Sequence, residues 1–155
     1  MRSTGFIRTL AVMTSVVALA ACSKSSALTK AEMITQGDKI CTTARTAIDA
    51  LSLNDLGGPS ADNMAQYAEG LDTVIPLFEK MITDLGVLEP PEADAAKITE
   101  MLGHLQDEVD VIKEAQQAAA AGDLDGFNAA AQKSGDADAT ATQIATDYGF
   151  KVCGT

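Results

Sequence analysis

Behind Thr29, apolar and small residues recur at alternating intervals of three and four: Ile34, Gly37, Cys41, Ala44, Ile48 and Leu51. This spacing gathers one stripe on one side of a helix that turns every 3.6 residues. The start is marked as well as the face. Thr29 and Glu32 stand as a capping box, the hydroxyl taking the amide three residues on while the carboxylate reaches back. Leu28 and Met33 occupy the flanking positions of a hydrophobic staple. The turn-forming stretch "NDLGGPS", Asn54 to Ser60, ends the segment.

Three further stretches carry the same period. Residues 61–85 place Met64, Tyr67 or Ala68, Leu71, Val74 or Ile75, Phe78, Ile82 and Leu85 on one seam, with Gly86 as the stop. Pro76 interrupts this stretch chemically, since it lacks an amide and crowds the preceding turn. The apolar phase continues through it, which predicts a kink and not a break. Pro90-Pro91 then gives a stiff connection and a helix start. Residues 92–121 line up Ile98, Leu102, Leu105, Val109 and Ile112, with Met101 beside them and Gly122 beyond. Asp123 is a candidate N-cap for the last helix. That helix runs to about Tyr148 through Phe127, Ala130, Ala131, Ser134, Ala137, Ala141 and Ile144, a seam of mostly small residues. Gly149 follows as its C-cap.

Four amphipathic helices joined by short turns predict an all-α, antiparallel up-down-up-down four-helix bundle. Each rod is roughly 30–45 Å long. The bundle domain is expected over residues 29–155. The methionines Met33, Met64, Met81 and Met101 fall on or near the seams and read as core filler, with an adaptable binding surface as the alternative.

What precedes the bundle reads as an export signal. Arg2 and Arg8 stand ahead of an uncharged apolar run from about Thr9 to Ala21. The run has the length of a signal-peptide core and falls short of the roughly 20 residues that span a bilayer. It closes on Leu19-Ala20-Ala21-Cys22, after which the chain turns to serine and lysine. This resembles the bacterial lipobox. It implies a cleaved lipoprotein signal peptide over residues 1–21, a diacylglycerol thioether on Cys22 with palmitate-type acylation, and a lipidated tether over residues 22–28. Two acyl chains anchor stably where one does not. The expected address is the extracytoplasmic face of the cell membrane, with the membrane as a partner through the lipid on Cys22. An ordinary signal peptide with an incidental cysteine is the competing reading.

Loss of Arg2 and Arg8 with the leader takes the formal net charge from −11 to −13. A surface this acidic excludes nucleic acid as a partner, because phosphates require a basic face. It equally excludes a polybasic membrane patch.

Setting Cys22 aside for lipid leaves Cys41 and Cys153 as a pair. Outside the cytoplasm two thiols in a small domain are usually oxidised. Cys41 lies on the first seam, and Cys153 lies five residues past Tyr148. The first and last helices of an up-down bundle are neighbours, so the tail "GFKVCGT" can fold back to reach helix one. A Cys41–Cys153 disulfide is expected. The alternative is two unpaired thiols, with Cys41 as a small core hydrophobe.

Together these stretches resemble a group of small actinobacterial lipoproteins of uncharacterised function. The resemblance rests on the lipobox, on the first-helix cysteine in "GDKICTTA", and on the interior proline and "L-x-x-L-x-P-P" of "IPLFEKMITDLGVLEPP". It rests also on the closing "ATDYGFKVCGT". It implies an extracytoplasmic helical bundle with a Cys41–Cys153 bridge, and it implies no activity.

The residues offer little for catalysis. There is one histidine, His104, no serine in a G-x-S-x-G elbow, no phosphate-cradling glycine loop and no haem-attachment motif. No catalytic residue, cofactor or metal site is expected. The richest cluster is "EMLGHLQDE", where Glu100, His104 and Glu108 repeat every four residues beside Asp107. Imidazole with carboxylates suits zinc or iron, but di-iron bundles use a different spacing and more histidine. Glu100 and His104 fall about 100° or more off the seam. The group is therefore expected as a solvated flank, with a cation site as the competing reading. The functional expectation is a membrane-anchored, non-catalytic binding or interaction module. The alternative is a bundle that holds a small ligand or metal in a cavity between helices.

Overall fold

The computed structural model describes residues 27–154. The expected leader and Cys22 lie outside the described residues. Helices α1 (Lys30–Asp49), α2 (Met64–Gly86), α3 (Ala95–Ala120) and α4 (Leu124–Tyr148) form an all-α four-helix bundle. Short 3-10 turns, Leu53–Leu56 and Glu92–Asp94, interrupt the first two connections. No strand occurs among the described residues. None of the described helices is long and apolar enough to cross a membrane.

The start of α1 follows its sequence signature. The Glu32 amide donates to the Thr29 hydroxyl at 3.3 Å, and the Thr29 amide donates to the Glu32 carboxylate at 2.8 Å. These hydrogen bonds hold the Glu32 carboxyl below its ordinary range. Met33 is fully buried, with Leu28 packed on the same cluster. The Leu28 amide also donates to the Glu89 carbonyl at 2.7 Å, which ties the entry of α1 to the Pro90-Pro91 connection. The helix ends earlier than its seam suggests, at Asp49 with Ala50 as cap, so Leu51 lies half-buried in a turn. That connection is held by two side chains of the second segment. Asn63 accepts from the Ser60 amide at 2.8 Å and donates to the Leu56 and Gly58 carbonyls, each at 3.1 Å. Tyr67 donates to the Gly57 carbonyl.

Helix α2 continues without a break through Pro76, which sits on its exposed side. It ends at Gly86 with Val87 as cap, within a residue of the expected stop. Asp123 caps α4, its carboxylate accepting from the Gly126 amide at 2.9 Å. At the far end Gly149 takes a left-handed φ of 115°, the conformation that makes glycine the favoured residue after a helix.

Packing is uneven around the bundle. Helices α3 and α4 meet most extensively, α2 and α3 next, and α1 leans on α2 more sparingly. The α3–α4 contact is close because small residues face each other. Ala115 and Ala119 share a cluster with Ala130 and Phe127, and Ala145 packs with Ile98 and Met101. By contrast, α1 buries only Met33, Gly37, Cys41 and Ala44, and most of these are too small to remove much apolar area from water.

The chain end makes up for this thin seam. Phe150 is buried against Met33 and Tyr148, and its ring lies over Gly37, where a Cβ would overlap it. Cys153 joins Cys41 in a disulfide with the Cα atoms 5.3 Å apart, as expected from the sequence. Tyr148 locks the same corner. Its hydroxyl donates to Asp94 at 3.1 Å, and Lys30 lies 4.5 Å above its ring. Burial, then the hydrogen bond to Asp94, pushes the phenol up to about 12.

Candidate ligand-binding site

A cavity of about 200 Å³ opens beside the disulfide, lined by all four helices and the C-terminal tail. Its apolar wall is Phe78 and Met81 from α2, Met101 and Leu105 from α3, and the Cys41–Cys153 bridge itself. Its charged groups come from three helices: Arg45 and Asp49 on α1, Glu108 on α3 and Asp138 on α4. Arg45, Asp49 and Asp138 are exposed at the mouth. Glu108 is different. It is 6 % exposed, the one charged residue buried among those described, and its Oε2 has no hydrogen-bond partner.

The periodicity of α3 explains the burial. Met101, Leu105, Glu108, Ile112, Ala115 and Ala119 are spaced four, three, four, three and four apart, which is a second seam beside the one through Ile98 and Val109. Because α3 packs on both α2 and α4, its buried face is wide enough to take in both. Glu108 thus occupies a core position on the central helix. Burial, then the nearby Asp138 carboxylate, pushes its carboxyl up to about 7. A buried polar atom without a partner costs about 1–3 kcal/mol, and native folds keep few of them.

The expected flank of Glu100, His104 and Glu108 therefore divides. Glu100 is exposed, His104 is half-buried with Nδ1 3.9 Å from Asp107, and Glu108 points inward. The solvated-flank expectation fails for Glu108, because α3 has neighbours on two sides. No three His, Cys, Asp or Glu side chains converge on a metal-sized position among the described residues. The three residues are not brought together as ligands.

A larger hollow of about 460 Å³ runs between α1 and α2, past Ile40, Thr43, Leu77 and Lys80. It reflects the sparse contact of those helices, and no buried charged side chain lines it.

Asp38, which no sequence motif singles out, organises the tail. Its carboxylate accepts from the backbone amides of Lys151, Val152 and Cys153 at 3.0, 2.8 and 3.3 Å. It thereby fixes the stretch of tail that carries the disulfide over the cavity. Its one sequence signal is its position a single turn before Cys41.

No family model, curated protein or solved structure matches the chain.

Proposed function

We propose that this protein is a lipid-anchored, extracytoplasmic four-helix bundle that binds a small ligand in the cavity beside Cys41–Cys153 and performs no catalysis. The observation that carries the reading is that Glu108, a residue of the cavity wall, is buried with one carboxyl oxygen unpartnered. A buried group that costs stability, on a residue that lines a cavity, points to a recognition site. The volume lies below the roughly 300–1,000 Å³ of drug-sized pockets, so the ligand is small. Val87 is the one large apolar side chain strongly exposed among the described residues.

The helices run up-down-up-down in this reading. Its support is the sharing of clusters between opposite ends: the start of α2 with the end of α3 and the start of α4, and the start of α1 with the end of α4. Residues 1–21 are the cleaved lipoprotein signal and Cys22 is the lipidated first residue, as the resemblance to small actinobacterial lipoproteins implies. The bridge between Cys41 and Cys153 suits an oxidising compartment.

Two measurements test the proposal. In the host, the protein should take up labelled palmitate and partition with membranes, and Cys22→Ala should abolish both. With the full-length protein in detergent, a small-molecule screen read by methyl NMR should find compounds that shift Ala44, Ile48 and Ala141 selectively. A screen that shifts no cavity methyl overturns the binding reading.

A further inference from the structure

We infer that the cavity selects a small organic monocation, an ammonium head on a short aliphatic body, with Glu108 as its counter-ion. This rests on the binding reading above and names the class of ligand.

The wall divides into the two parts such a ligand needs. Phe78, Met81 and Met101 offer an apolar surface, with an aromatic ring and two polarizable thioethers among them. Aromatic faces and soft sulfur atoms accommodate alkylammonium groups well. The same lining holds carboxylates from two helices, Glu108 on α3 and Asp138 on α4. The Glu108 carboxyl is an acceptor when ionised, and an ammonium N–H is a charge-assisted donor to it.

The remaining charges do not reverse the sign. Arg45 and Asp49 both line the mouth from α1, one helical turn apart, and contribute one charge of each sign. The lining residues of α2 and of the tail, Phe78, Met81, Val152 and Cys153, carry no charge. An anion would meet two carboxylates. A neutral ligand would gain no charge-assisted bond from Glu108. A metal ion would lack a third ligand among the described residues.

Binding is coupled to a proton. Burial and the neighbouring Asp138 hold the Glu108 carboxyl up to about 7, so near neutrality part of the protein carries the acid form. When the ammonium enters, Glu108 releases its proton to the buffer and the ion pair forms in its place. Affinity should weaken by roughly tenfold for each pH unit below 7, and binding near pH 6 should release close to one proton.

Three four-carbon probes decide the matter on the full-length protein in detergent: n-butylammonium, n-butanol and butyrate. Binding is read from the methyl shifts of Ala44 and Ala141, and proton release from calorimetry at pH 6 in two buffers of different ionisation heat. Butylammonium should bind at pH 8 at least tenfold more tightly than either isostere. The preference should vanish in Glu108→Gln, whose unchanged methyl spectrum elsewhere shows that it folds. Equal binding of butanol or butyrate overturns the cation inference and leaves the cavity reading standing. Retention of the preference in Glu108→Gln, or binding without proton release, overturns it in the same way. Failure of all three probes to move the cavity methyls overturns the inference and counts against the cavity reading as well.

Discussion

Asp38 Oδ1 lies 2.8 Å from the amide nitrogen of Val152, across 114 residues of sequence. The same carboxylate also takes the amides on either side, so one side chain of α1 satisfies a short run of tail backbone that belongs to no helix. Buried or half-buried amides must find partners. Here they find one that also sets the tail in register with Cys41.

Removing that carboxylate should therefore loosen the tail more than the bundle. Asp38→Ala is expected to cost about 1–3 kcal/mol, the penalty of leaving partly buried amides unpaired. Hydrogen exchange should show lost protection at residues 151–153 while the α3–α4 core keeps its own. Uniform loss over all helices would contradict this role.

The disulfide should carry a large share of the stability of α1. It closes a loop of 112 residues, for which the chain-entropy account gives about 4–5 kcal/mol, less any native strain. Denaturant unfolding of the Cys41→Ser, Cys153→Ser double variant should fall short of the oxidised protein by an amount of this order. Thiol titration of the unfolded, unreduced protein should find neither Cys41 nor Cys153 free. A variant as stable as the parent would mean that apolar packing alone holds α1.

Much of this was legible in sequence, and the reasons are local. The Thr29–Glu32 box, the Asp123 cap and the Gly149 stop are set by residues within one turn of each other, so short-range chemistry suffices to find them. The Cys41–Cys153 pairing was legible because few cysteines compete. The end of α1 was not, since its apolar period runs on to Leu51 while the chain already turns at Ala50. Glu108 was misplaced for a different reason. Reading α3 as having a single buried stripe leaves Glu108 on the flank, whereas a central helix with two neighbours buries a second stripe. The Met101–Leu105–Glu108–Ile112 spacing held that information. Asp38 left almost no trace, because its partners lie at the other end of the chain.

Burial of Glu108 should also appear in the pH dependence of stability. Its folded carboxyl is raised from the ordinary 4.5 to about 7, so the folded state holds the proton more tightly than the unfolded state. Its contribution is therefore most favourable below pH 4.5, declines as the pH rises towards 7, and stays lost above that. The full span is at most about 3 kcal/mol. Glu108→Gln cannot ionise. Its stability relative to the parent should accordingly improve between pH 5 and pH 8, as read by denaturant midpoints at each pH. An unchanged difference across that range would mean that Glu108 is solvated.

The most direct measurement is the titration of Glu108 itself, followed by the side-chain carboxyl ¹³C resonance in the full-length protein and assigned by its absence in Glu108→Gln. The expected midpoint is about 7, and added n-butylammonium should move it downward by stabilising the charged form. A midpoint near the ordinary 4.5, indifferent to the cation, would contradict a buried recognition carboxyl and with it the proposed site.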